Sequence, residues 1–339
     1  MTKQPDQDRQ GRQNGRPTSQ DCFSRLAGAA LGTMIGDALG MPVEGWTAQA
    51  IAQRHGRLET FLDGRLPAGS YTDDSQMMIA ILESLSQKGR LEPQHLAGRF
   101  VANFQPWRGY GGRIAGVMAR LAAGVPWDQA GTGSFGNGGA MRVGVLGVAL
   151  AHDPAALRQA ALEQCRITHH HRQALAASLA QAWAVGLARR LGREGKTPRQ
   201  DQVVKEVARL AQDLDPHTAA RLRAMPALPR GQEDQARRLL AETYACDVRA
   251  AESMPPALGA FLAAESAPQA VVLAVSLGGD TDTLGAMAGA LAGAYWGLEA
   301  WPGPWLAGLE NGQKGKDYAL LLCQNLCGQK PVDEPGPDC

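Results

Sequence analysis

Two short stretches place carboxylates in apolar surroundings. SLGGDTDTLG, residues 276–285, carries Asp280 and Asp282 behind paired glycines and ahead of a Gly/Ala-rich apolar run. GSYTDDSQMMIAILESL, residues 69–85, carries Thr72, Asp73 and Asp74 at the head of a helical pattern, with Met77, Met78, Ile81, Leu82 and Leu85 as its apolar face. Thr72 reads as an N-cap, and carboxylates in a first turn are ordinary helix-start chemistry, so this stretch also has a purely structural explanation. Asp280 and Asp282 have less of one, because a buried, unpaired carboxylate is costly. Clustered hard oxygen donors suit Mg2+ or Mn2+, and Thr72 and Thr283 each add a hydroxyl beside an aspartate. With Glu44, the four aspartates carry five negative charges, nearly balanced by two divalent ions sharing a carboxylate.

A third stretch, GTGSFGNGGAMRVGVLG (131–147), has glycines at 131, 133, 136, 138 and 139. Such a loop lets backbone amides approach a phosphate, and its Phe135 has a face on which a base can stack. It lacks the Gly-Lys-Ser/Thr of a Walker A loop, and a Gly-rich turn around a buried Phe is the plain alternative. ITHHHRQAL (167–175) has three adjacent histidines. Neighbours on a helix point about 100° apart, so at most one faces inward. His169, after Thr168 at an expected helix start, is the choice, with surface or capping roles for the other two.

These groups need elements to hold them. FSRLAGAALGTMIGDALG (23–40) has glycines at 28, 32, 36 and 40, and TLGAMAGALAGAYWG (283–297) has them at 285, 289, 293 and 297. A spacing of four lines each set along one helix face. Each glycine costs about 1 kcal/mol against alanine in a helix interior, a penalty offset only where backbones approach closely. Two central, tightly packed helices are expected there. Further helices are expected at 74–87, 93–103, 111–123, 155–165, 172–191, 201–213, 234–243, 256–264 and 316–327. The runs 141–150 and 270–279 are Val-rich and read equally as buried strands. Residues 192–255 are more charged and Pro-dotted, which suggests a peripheral insertion.

Composition sets the outer bounds. The chain has 339 residues, 44% of them hydrophobic, and a formal net charge of +1, which leaves no electrostatic footprint for nucleic acid or an anionic membrane. Residues 1–20 read as a disordered polar tail, 21–330 as one domain and 331–339 as a C-terminal tail. The longest apolar run, 284–298, has about 15 residues, against roughly 20 for a membrane span. Six cysteines lack zinc-site spacing, and Cys323 and Cys327, four apart on an expected helix, read as buried apolar residues. The chain reads as cytoplasmic and reduced, with monomer the default.

Together the motifs GDALGMPVEGW (36–46), YTDDSQM (71–77), RGYG (108–111), SFGNGGAMRVGVLG (134–147), THH (168–170) and SLGGDTDTLGAMAGALAGAYWG (276–297) resemble the ADP-ribosylglycohydrolase family. The resemblance spans about residues 24 to 298, apart from 192–250. It implies an all-α orthogonal multi-helix bundle with two Mg2+ or Mn2+ ions in a central cleft, and so turns both Val-rich runs towards helix. By position, Thr72, Asp73 and Asp74 correspond to ligands of one ion, Asp280 and Thr283 to ligands of the other, and Asp282 to a bridge. Glu44, with Asp282, falls at the catalytic carboxylates. Gly133, Ser134, Phe135, Gly136, Asn137, Gly138 and His169 fall at positions that bind ADP-ribose. His170 and His171 depart from the family pattern and loosen the register there by one residue.

The implied reaction is hydrolysis of the bond between ADP-ribose and an acceptor: Arg or Ser in a protein, poly(ADP-ribose) or a small conjugate. Asp-x-Asp-x-Thr after an apolar run also fits haloacid-dehalogenase phosphatases, but there it starts a chain of alternating strands and helices. A binding-only relative of the family is the other alternative, and it would be expected to have lost metal ligands that are all present here.

Overall fold

The computed structural model describes residues 19–328. The expected C-terminal tail and all but the last two residues of the N-terminal one lie outside the described residues; Ser19 and Gln20 belong to the first helix. The described residues form seventeen α-helices and no strand, with only isolated β-bridges between loops. In chain order they are α1 (Ser19–Gly40), α2 (Ala48–His55), α3 (Asp73–Lys88), α4 (Pro93–Asn103), α5 (Ile114–Ala122), α6 (Gly138–Met141), α7 (Gly144–Ala149), α8 (Pro154–Arg166), α9 (Arg172–Arg193), α10 (Gln200–Gln212), α11 (Pro216–Arg223), α12 (Glu233–Thr243), α13 (Ala250–Ala263), α14 (Ala267–Val275), α15 (Thr281–Trp296), α16 (Gly303–Gly308) and α17 (Lys316–Leu326). The all-α expectation holds, and both Val-rich runs are helical, as α6 with α7 and as α14.

The two glycine-lined helices pack against each other. Gly28 faces Gly293, Gly32 faces Gly289 and Gly36 faces Gly285, each along an antiparallel α1/α15 contact. A Cβ added at Gly28 would lie 2.6 Å from the Gly293 carbonyl oxygen, and at Gly32 or Gly36 it would strike the facing backbone harder still. At the end of this contact the Thr281 hydroxyl donates to the Gly40 carbonyl at 2.8 Å. The contact therefore brings the end of α1 to the start of α15, where Asp280 and Asp282 lie.

Three sequence expectations need correction. Helix α13 starts at Ala250 rather than 256 and runs through Pro255 and Pro256. Every residue of α13 is buried, and that packing outweighs the tendency of proline to begin a helix rather than sit inside one. Cys327, expected as a buried thiol, is bonded to Cys22 across 305 residues of chain, with Cα atoms 5.9 Å apart, so the reading of all cysteines as reduced fails. Cys323 is free and buried, as expected. The segment Ser19–Val43 is long and apolar enough to cross a membrane, which run-counting missed, but 94% of that window is buried inside the protein, the signature of a core helix.

Candidate active site

The head of α3 is built by α1. The first amides of a helix lack partners within it, and Asp37 of α1 supplies them. It accepts from the Thr72 amide at 3.0 Å, from the Ser75 amide at 3.1 Å and from the Ser75 hydroxyl at 2.6 Å. The Thr72 hydroxyl caps the Asp74 amide at 3.4 Å. Asp73 and Asp74 are thereby fixed in a first turn that is itself buried.

The second acidic turn is set by the paired glycines. Gly278 and Gly279 have φ of +77° and +75°, a region costly for other residues. Gly279 donates to the Trp46 carbonyl at 2.8 Å while its own carbonyl accepts from Gly45 at 2.7 Å, and the Asp280 amide donates to the Cys246 carbonyl at 2.8 Å. This places Glu44 beside the aspartates: oxygens of Glu44, Asp280 and Asp282 lie within 4.8 Å of one another.

Both turns open into one cleft of about 290 Å³. Its acidic end is lined by Glu44, Asp73, Asp74, Asp280, Asp282 and Thr283; its other end by Ser134, Gly136, Asn137, Gly138 and His169. Of the residues expected at the site, Thr72 lies fully buried beneath the cleft, Phe135 stands exposed with its ring edge-on to His171 at 5.8 Å, and Gly133 has open space around it. The glycines of this loop divide their roles. Gly138 packs on His169, a Cβ there falling 2.7 Å from the ring, whereas Gly131 makes room for the His170 ring and the Arg166 carbonyl and Gly139 for Cys165.

The helix expected at 172–191 begins at Arg172, so Thr168 does not stand at its start; His171 caps it, its Nδ1 accepting from the Gln173 amide at 3.2 Å. His169 lies in the preceding turn, facing the cleft, with Nδ1 2.7 Å from the Thr168 hydroxyl. Burial, with Arg142 nearby, pushes its pKa down to about 3, so the ring is neutral near pH 7.

Electrostatically the acidic end is strained. Burial first, then the Asp282 carboxylate, raises Asp73 to about 8 and Asp37 to about 7; the same causes hold Asp74 and Asp280 well above the usual carboxylate range. Asp74 Oδ1 is buried without a hydrogen-bond partner. An orphaned oxygen among crowded hard donors is the arrangement a divalent cation satisfies, so the residues present fit such an ion.

Sequence reasoning missed four contributors. Asp37 was visible inside GDALG but had no assigned role. Arg65, from the loop before α3, contacts Glu44 and donates to Asp282 at 3.1 Å. Arg142 is fully buried under the Gly-rich loop, donating to Gln164 at 2.7 Å and Thr168 at 2.8 Å. Residues 246–250, within the segment expected to be peripheral, form a wall: the Asn137 amide donates to the Val248 carbonyl and the Ala250 amide to the Phe135 carbonyl, both at 3.0 Å. Of these, only Asp37, set in a motif among small apolar residues, carried a local signal.

A family model described as ADP-ribosylglycohydrolase matches residues 18–334. The chain is 30% identical to ADP-ribosylhydrolase ARH3 of Homo sapiens, covering 90% of this chain and 93% of that protein. It is 31% identical to ADP-ribosyl-[dinitrogen reductase] glycohydrolase of Rhodospirillum rubrum, covering 86% and 92% respectively. A solved structure titled ADP-ribosylglycohydrolase-related protein complex superposes with a TM-score of 0.72 at 31% identity, over 91% of this chain and 99% of that one.

Proposed function

Because the chain belongs to the ADP-ribosylglycohydrolase family, we propose that its cleft hydrolyses the bond between ADP-ribose and an acceptor group, with divalent metal ions bound at the acidic end. The observation that carries this reading is the meeting of two acidic turns, about two hundred residues apart in sequence, around the partnerless Asp74 Oδ1 and beside a Gly- and Asn-lined loop.

Thr72, Asp73 and Asp74 would hold one Mg2+ or Mn2+, Asp280 and Thr283 the other, with Asp282 shared between them. Bound there, such ions supply positive charge to ribose hydroxyls and make a nearby water more acidic. The loop at Ser134–Asn137–Gly138 cradles the diphosphate, neutral His169 offers a hydrogen bond without adding charge, and exposed Phe135 offers a face to the adenine. Glu44, at the open edge of the acids, exchanges the proton with the attacking water or the departing acceptor. The substrate is an ADP-ribosylated protein or a small ADP-ribose conjugate.

The test is release of free ADP-ribose from matched Ser-linked and Arg-linked ADP-ribosyl peptides, with Mg2+, with Mn2+ and with EDTA. Metal-dependent release from either peptide is the expected result. Tight ADP-ribose binding with no release from any conjugate would instead identify a binding protein.

A further inference from the structure

The contacts give the cleft an order. Asn137 of the Gly-rich loop donates to Asp280 at 2.6 Å, Asp280 neighbours Asp282 and Glu44, and Arg65 bonds both of those. If ADP-ribose lies along the loop with its reacting bond over the acids, the acceptor leaves past Arg65. This step rests on the proposed function. Two arginines, Arg65 and Arg113, stand at that exit beside Glu44. Arg65 is one-third exposed and already engages the two carboxylates that would otherwise attract a positive group. Arg113, on an exposed turn, lines the same wall together with Gly109, Gly111 and Gly112.

That wall is fitted to Arg65. Gly109 has φ of +96°, and a Cβ there would run into the Arg65 guanidinium, so any other residue would push it off the acids. Asp247, beside the lining residue Val248, offers no free negative charge, because Arg249 binds both its oxygens at 2.9 Å and 2.6 Å. A guanidinium or ammonium acceptor would meet an exposed Glu44 that is already paired with Arg65, and Arg113, a cation with no such partner among the described residues, repels it.

We propose that Arg65, supported by Arg113, makes the cleft discriminate by acceptor charge, favouring ADP-ribose joined to an uncharged or anionic group over ADP-ribose joined to a cationic one. Arg65 then acts as a specificity-determining residue through its charge, in addition to holding Glu44 beside Asp282.

The experiment measures kcat/KM for Ser-linked and Arg-linked ADP-ribosyl peptides of otherwise identical sequence, in the wild type, Arg65→Gln, Arg65→Lys and Arg113→Gln, with binding of both peptides followed by calorimetry. The wild type should favour the Ser-linked peptide on the order of tenfold or more. Arg65→Gln should shrink that ratio on the order of tenfold and Arg113→Gln by less, while Arg65→Lys should keep the ratio even where its rate falls. Raising salt should compress the wild-type ratio. A wild type that prefers the Arg-linked peptide, or a ratio unmoved by Arg65→Gln, overturns the proposal. If neither peptide is hydrolysed, the proposed reaction fails separately. Affinities then decide charge selection, and equal or tighter wild-type binding of the Arg-linked peptide, or binding of neither, overturns it.

Discussion

The Asn137 side-chain amide donates to Asp280 Oδ2 at 2.6 Å and also to the Ser253 hydroxyl at 3.1 Å. This is a direct bond between the loop proposed to carry ADP-ribose and the turn proposed to carry metal. Both partners are buried, so removing the donor takes a hydrogen bond from a carboxylate oxygen with little access to solvent. Asn137→Ala should cost about 1–3 kcal/mol in urea unfolding. It should also weaken ADP-ribose affinity in calorimetry. A variant as stable and as tight-binding as the wild type would mean that the contact contributes to neither.

The α1/α15 contact predicts opposite outcomes for one substitution. Gly36→Ala drives a methyl into the Gly285 backbone, which cannot rotate away, and should destabilise by about 3 kcal/mol or more, or abolish folding. Gly98→Ala, mid-way along α4 with open space around its Cβ position, should stabilise by about 0.5–1 kcal/mol. Urea midpoints of the two variants check this. Equal effects would mean that the glycines answer to helix propensity rather than to the close approach.

The crowded acids predict a pH dependence tied to metal. A carboxyl whose pKa is higher in the fold than in the unfolded chain favours the fold below its unfolded pKa and loses that contribution as pH rises through its folded value. Asp37 at about 7 and Asp73 at about 8, both against an ordinary value of 3.8, place that loss between about pH 4 and pH 8. In EDTA the thermal midpoint should fall across this window. Saturating Mg2+ or Mn2+ displaces the protons and should flatten the fall. A midpoint independent of pH in EDTA, or a slope unchanged by metal, would count against the arrangement.

Glu44 is exposed at the edge of the acids, whereas Asp73, Asp74, Asp280 and Asp282 are buried. Glu44→Gln keeps the side chain's shape and removes its capacity to exchange a proton. Turnover should drop at least about a hundredfold, while ADP-ribose affinity should change by less than about threefold. Loss of both together would assign Glu44 a structural role.

Local patterns carried much of this. A four-residue glycine spacing determines a close helix contact because only glycine removes the Cβ that keeps backbones apart, and Thr72 with its aspartates marks the start of α3 because unsatisfied first-turn amides need such partners. The crowding of the acids was partly legible, since carboxylates with apolar flanks on both sides are expected to be buried together. Even the mistaken start of α13 has a local cause, as Pro255 and Pro256 look like a beginning until the burial around them is known.

Contacts between distant segments were left to the tertiary structure. Asp37 lies in a helix that is almost entirely apolar from Leu26 onward, and its role appears only when the end of α1 meets the head of α3. Arg65 gains meaning from its two partners, Glu44 and an Asp282 that lies 217 residues further along the chain. Residues 246–250 belong to a charged segment that composition assigns to the periphery, yet their backbone carbonyls and amides fix both the Gly-rich loop and Asp280. A backbone carbonyl leaves no mark in the identity of its residue, and an ion pair across the chain leaves none in spacing. The sequence determined which acids sit in apolar surroundings, and the packing of α1 on α15 decided where they meet.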